Sequence, residues 1–96
     1  MTINYTKGGL AHAWKKHDIT KDRIDSSMSK GIARAFKDSK YNSLVMFTND
    51  NLVVVIDYIT HKFKTTFVPM DRYIHDMERH CQELTNIKEL GGYRYE

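Results

Sequence analysis

Along the first third of the chain, apolar residues recur at helical spacing. Leu10, Ala13, Trp14 and His17 fall three and four apart and would make one face of a helix over Thr6 to His17, with Gly8 and Gly9 loosening its first turn. Asp18 or Thr20 offers an N-cap oxygen for a second helix over about residues 20–30. Ile24, Ser27 and Met28 form its inward face, and Gly31 provides a left-handed stop. The pattern then changes. Ile32 and Phe36 bracket a segment that reads either as a first edge strand or as an extension of the helix. Ser43 to Thr48 is a strand, Asn49-Asp50-Asn51 a turn, and Leu52 to Tyr58 a second strand. Val53, Val54, Val55 and Ile56 show no alternation, which predicts a central strand covered on both faces: by helices on one, and by a partner, a substrate or a terminal segment on the other.

Thr60-His61-Lys62 makes a second tight connection to a strand over Phe63 to Val68, in which Phe63, Thr65 and Phe67 would share one face and Lys64, Thr66 and Val68 the other. Pro69 ends it. From about Met70 to Asn86, the residues Met70, Tyr73, Ile74, Met77, Cys81 and Leu84 form the apolar stripe of an amphipathic helix. Gly91-Gly92 releases a flexible tail, 91–96, that pairs as an extra edge strand, binds a partner or frays. The expected fold is α+β: N-terminal helices, an antiparallel sheet of three to four strands, and a C-terminal amphipathic helix packed on the sheet, all within one domain over 1–96.

Composition narrows the function classes. The chain of 96 residues is 41% hydrophobic and 28% charged, values of a folding globular domain with a single core. Its one cysteine, Cys81, excludes an internal disulfide, and its longest apolar run is too short to span a bilayer. No secretory pattern is legible in the first residues, so a cytoplasmic protein without membrane association is expected. Fifteen Lys and Arg against twelve Asp and Glu give +3, with the basic residues concentrated before the first strands, a mild bias toward RNA or DNA.

The densest polar group is His12-Ala13-Trp14-Lys15-Lys16-His17. RNA cleavage without a metal needs a base for the 2′-hydroxyl, an acid for the leaving oxygen and cations for the charged phosphorane, and two imidazoles with two ammonium groups supply these types. His12 and Lys16 share a helix face, whereas His12 and His17 are separated by roughly 140° on an ideal helix. The competing reading makes Lys15 and Lys16 solvated helix charges and His17 a partly buried structural histidine. Lys62, Lys64, Thr65 and Thr66 put cations and hydroxyls on the last strand, where the first helix would cross, although threonine is also an ordinary strand residue. Tyr58 is a candidate phosphate donor or stacking platform. His75, His80 and Cys81 lack the spacing of a metal site, so no metal and no cofactor are expected.

The string His12-Ala13-x-x-Lys16-His17-x-Ile19-Thr20-x-x-x-Ile24, followed by Gly31, strands and Lys64-Thr65-Thr66-Phe67, resembles the small nucleases of the barnase, EndoU, colicin and RelE-like grouping over about residues 8–68. The resemblance implies two helices ahead of a four-stranded antiparallel sheet, and metal-independent ribonuclease activity on tRNA or mRNA, as in toxins and phage-encoded enzymes. It assigns catalysis to His12, Lys16, His17 and Thr65, and substrate binding to Lys15, Tyr58, Lys64 and Thr66. RNA and a neutralising protein are the implied partners. The long helix after Pro69 departs from the grouping. The alternative is a non-catalytic phage or bacterial regulator that binds a protein or nucleic acid through its basic N-terminal face or a sheet edge.

Overall fold

In the computed structural model, which describes residues 2–85, three helices and five strands follow in the order α1 (Lys7–His17), α2 (Lys21–Ser29), β1 (Ile32–Asp38), β2 (Ser43–Thr48), β3 (Val53–Asp57), β4 (Phe63–Phe67), α3 (Tyr73–His80) and β5 (Gln82–Leu84). The strands form one antiparallel sheet in the order β4-β3-β2-β1-β5. Both N-terminal helices start on threonine caps: Thr6 Oγ1 accepts from the Gly9 N–H and Thr20 Oγ1 from the Arg23 N–H. Gly31, at φ 97°, follows α2 as its left-handed stop.

The unalternated run in β3 is buried along both faces of the sheet. On one face Val54 and Ile56 join Ala13, Ile19, Ile24 and Met28 from the α1–α2 layer. On the other, Val53 and Val55 join Phe36, Val45 and Phe47, against which Tyr73, Ile74, Met77 and Cys81 of the α3 segment pack. The second cover is therefore this chain's own helix.

Several expectations are corrected. The ambiguous segment after Gly31 is neither helix nor edge: β1 spans seven residues and pairs with β2 on one side and β5 on the other. The sheet has five strands instead of three to four, because the C-terminal helix stops at His80 and the chain re-enters the sheet. Leu84 thus leaves the expected helical stripe for the core on the α1–α2 side, while Met70 precedes α3 and is 73% exposed. The antiparallel pairing of β5 lets Ala35 oppose Leu84 and gives the outer edge of β1 a partner. Trp14 does not share the buried face of α1; it is 56% exposed, and Ala13 is the buried residue there. The tail at 91–96 lies outside the described residues.

A bulge in β4 also changes its parity. Val55 pairs with Thr65 but Ile56 with Phe63, so Lys64 is the extra residue. Phe63 and Thr66 consequently face the α1–α2 layer, while Lys64 and Thr65 join Phe67 on the α3 side.

The docking of α1 on β4 depends on close approach at Gly9, where an added Cβ would lie 2.9 Å from the Phe63 ring and 2.9 Å from Thr6 Oγ1; at Gly8 nothing lies within 4 Å. Gly8→Ala is expected to leave stability unchanged or raise it by up to about 1 kcal/mol. Gly9→Ala should lower it by about 1–3 kcal/mol as the cap and ring are displaced. Urea midpoints of the two variants test this, and equal responses would refute the packing argument.

Candidate functional site

The C-terminal end of α1 carries the histidines. The chain leaves the helix through Asp18 in the left-handed region, whose N–H donates to the carbonyls of Ala13 and Trp14, so the last turn is fixed. The rings of His12 and His17 lie 5.9 Å apart, edge to face, despite the five-residue spacing. His17 also meets the ring of Phe67 at 6.0 Å. Partial burial, then the positive potential of His12 and of Lys16, push the His17 pKa below its ordinary value of 6.5. The imidazole is thus biased toward its neutral, proton-accepting form.

His17 borders a hollow of about 340 Å³ whose other walls come from Phe67, Val68, Met70, Arg72, Tyr73 and Asp76. Phe67 and Tyr73 stand edge to face at 5.0 Å. Both also border a second hollow, of about 460 Å³, which opens over the sheet beyond α3 and reaches Lys64, Thr65, Ser43, Tyr41 and Asp38. The aromatic pair is the shared wall between the histidine end and the lysine-threonine end.

Lys64 is held in place. Its Nζ donates to the Tyr41 carbonyl and to Ser43 Oγ, each at 2.7 Å, leaving one ammonium proton for a ligand. Asp57 lies near enough to feel the lysine's charge, but its carboxylate is held low chiefly by the backbone N–H groups of Thr60 and Ile59. Asp38 accepts one bond from the Lys40 N–H at 3.1 Å.

The sequence-predicted residues are not all gathered here. His17 borders one hollow and Lys64 and Thr65 the other, on either side of the shared aromatic wall. Lys15, Lys16 and His12 lie on the exposed surface of α1. Thr66 is removed from any substrate role, being fully buried with its hydroxyl donated to the Val53 carbonyl at 2.7 Å. Tyr58 packs against the α1–α2 core, with Lys37 Nζ 4.4 Å from its ring centre, and borders neither hollow. Tyr73, Arg72, Asp76, Asp38 and Ser43 are among the wall residues that sequence reasoning missed. The signal for Tyr73 was its place in the amphipathic stripe, which was assigned to packing alone.

Among the described residues no three His, Cys, Asp or Glu side chains gather at metal-binding distance, and no helix is long and apolar enough to cross a membrane. Comparison with protein-family models, curated proteins and solved structures finds no match to this chain.

The His17 environment sets a pH expectation. A histidine whose folded pKa lies below its unfolded value contributes stability above the unfolded value, and this is lost as the pH falls through the lowered one. In an NMR titration His17 should protonate below 6.5, and His12→Ala and Lys16→Ala should each move it upward, the former more. An unmoved midpoint in both variants would show that His17 does not sense these neighbours.

Proposed function

We propose that the chain is a small metal-independent endoribonuclease that cleaves RNA by attack of the 2′-hydroxyl. The observation that carries this reading is that His17, with His12 against its ring, borders a hollow that adjoins, across Phe67 and Tyr73, the Lys64–Thr65 end. His17, whose surroundings lower its pKa, accepts the 2′-hydroxyl proton; the 2′-oxygen attacks phosphorus. His12, as the general acid, gives a proton to the departing 5′-oxygen, leaving a 2′,3′-cyclic phosphate and a 5′-hydroxyl. Lys16 offsets the charge that accumulates on the phosphorane, while Lys64 and Thr65, across the aromatic wall, hold a neighbouring phosphate of the same strand. Lys15 adds to the positive approach surface.

The resemblance of His12-Ala13-x-x-Lys16-His17 and Lys64-Thr65-Thr66-Phe67 to the barnase, EndoU, colicin and RelE-like grouping supports the same reading, as does the order of two helices before an antiparallel sheet. Toxin or phage origin, and tRNA or mRNA as the target, rest on that resemblance.

A second reading, a non-catalytic regulator that engages a protein, is favoured by Val68 and Met70. These residues border the His17 hollow while 54% and 73% exposed, and apolar surface of this kind suits a protein contact better than a polyanion.

Purified chain incubated with tRNA and mRNA in chelator should give products ending in cyclic phosphate. His12→Ala and His17→Ala should each slow cleavage about 10²–10⁴-fold. Intact RNA after prolonged incubation, with binding retained, would remove the enzyme reading in favour of the regulator.

A further inference from the structure

Both charges that line the larger hollow lie at the same end of it. Asp38 and Ser43 are cross-strand partners beside the β1–β2 turn, and Lys64 Nζ sits 2.7 Å from Ser43 Oγ. A carboxylate and an ammonium therefore flank one serine. They do not satisfy each other: among the described residues neither enters an ion pair. The ammonium donates to two neutral oxygens, and Asp38 accepts from the Lys40 N–H at 3.1 Å. Asp57, whose charge reaches Lys64, is outside the walls, and its carboxylate accepts from the Ile59 and Thr60 N–H groups at 2.9 and 2.8 Å. The Asp38 carboxylate belongs to the α3 side of the sheet, since the Cys81 thiol is pushed up by burial and then by the charge of Asp38.

Beyond this end the hollow turns apolar. Val45 follows two residues after Ser43 on β2, about 7 Å along the strand, with Val55 opposite it on β3. Phe67, Tyr73 and Met77 complete the apolar part, and the whole hollow of about 460 Å³ is of the size that small molecules occupy.

This layout selects among ligand classes by charge. A polyanion that reaches Lys64 also meets Asp38, and a purely apolar molecule takes water from two charges and pairs neither. A peptide terminus brings one of the two complementary charges. A free α-amino acid brings both on a single carbon, and a large side chain is needed to reach the valines. We propose that the larger hollow binds a free α-amino acid with a large apolar or aromatic side chain: its ammonium on Asp38, its carboxylate on the remaining proton of Lys64, and its side chain over Val45 and Val55 against Phe67 and Tyr73. The site does not depend on the ribonuclease reading. Where both hold, the bound amino acid takes Lys64 from the RNA strand and slows cleavage.

The test is calorimetric titration of the full chain with L-phenylalanine, L-leucine and L-alanine, and with N-acetylphenylalanine and phenylalaninamide, each of which lacks one of the two charges. Phenylalanine or leucine should bind about tenfold more tightly than alanine, and phenylalanine about tenfold more tightly than either analogue. Asp38→Asn should weaken phenylalanine about tenfold and leave N-acetylphenylalanine unchanged, whereas Lys64→Met should weaken phenylalanine and leave phenylalaninamide unchanged. These crossed responses separate charge matching from damage to the fold, which would weaken every compound. In NMR spectra the methyl resonances of Val45, Val55 and Met77 should shift on binding. No binding of phenylalanine or leucine by the unsubstituted chain, affinities equal to those of alanine or of the two analogues, or shifts confined to other surfaces would overturn the inference. Phenylalanine binding with RNA left intact would keep the amino-acid site and remove the nuclease, and RNA cleavage by a chain that ignores every amino acid would do the reverse.

Discussion

Four consecutive branched side chains in β3, all withdrawn from water, impose a demand that a two-layer domain cannot meet. A strand with one wet face alternates; Val53 to Ile56 do not, and each of the four is at most 8% exposed. Cover is needed on both sides of the sheet. The α1–α2 layer provides one cover, and the eight-residue α3 with its flanking residues provides the other. Since α3 is too short to span the whole second face, the part of the sheet it leaves open becomes the floor of the larger hollow. Core burial and site formation are thus two results of the same sequence run.

Packing alone holds α3 only partly, because none of its residues is fully buried and it begins without a side-chain cap. Arg34 supplies a second attachment. From β1 its guanidinium donates to both oxygens of Glu83 in β5, at 2.8 and 2.6 Å, and to Glu78 in α3 at 3.0 Å. Glu78 is shared with His75, 3.0 Å away. Hydrogen bonds from Arg34 are the leading cause that holds both carboxylates below the usual glutamate range. The groups are partly exposed, so solvent and salt weaken each contact, but the forked geometry fixes where α3 lies relative to β1.

Much of the fold was legible in residue patterns that depend on local chemistry. Thr20 and Gly31 bound α2 as their capping preferences predict, and Asn51 takes the positive φ that an asparagine tolerates in a turn. The β4 face assignment failed because alternation presumes an unbroken ladder, and the bulge at Lys64 has no signature in composition. The helix from Met70 to Asn86 was overextended for a related reason. Cys81 continues a stripe that Leu84 also fits by spacing, yet pairing with Ala35 wins over another helical turn. For the site, His12 and His17 were found by residue type, but their proximity was not, since side-chain reach overrides backbone angle at a helix end. Thr66 misled because sequence does not distinguish a hydroxyl offered to ligand from one committed to a neighbouring carbonyl.

The strand order has a kinetic side. Sheet neighbours β1 through β4 are consecutive in the chain and close through short turns, so they can zip sequentially at little cost in chain entropy. The β1–β5 pair joins Ala35 to Leu84 across about half the chain, and it comprises three residue pairs. Until the segment after Pro69 docks, the row of Phe36, Phe47 and Phe67 that it covers in the folded chain stays open to water, a surface through which two nascent chains could associate.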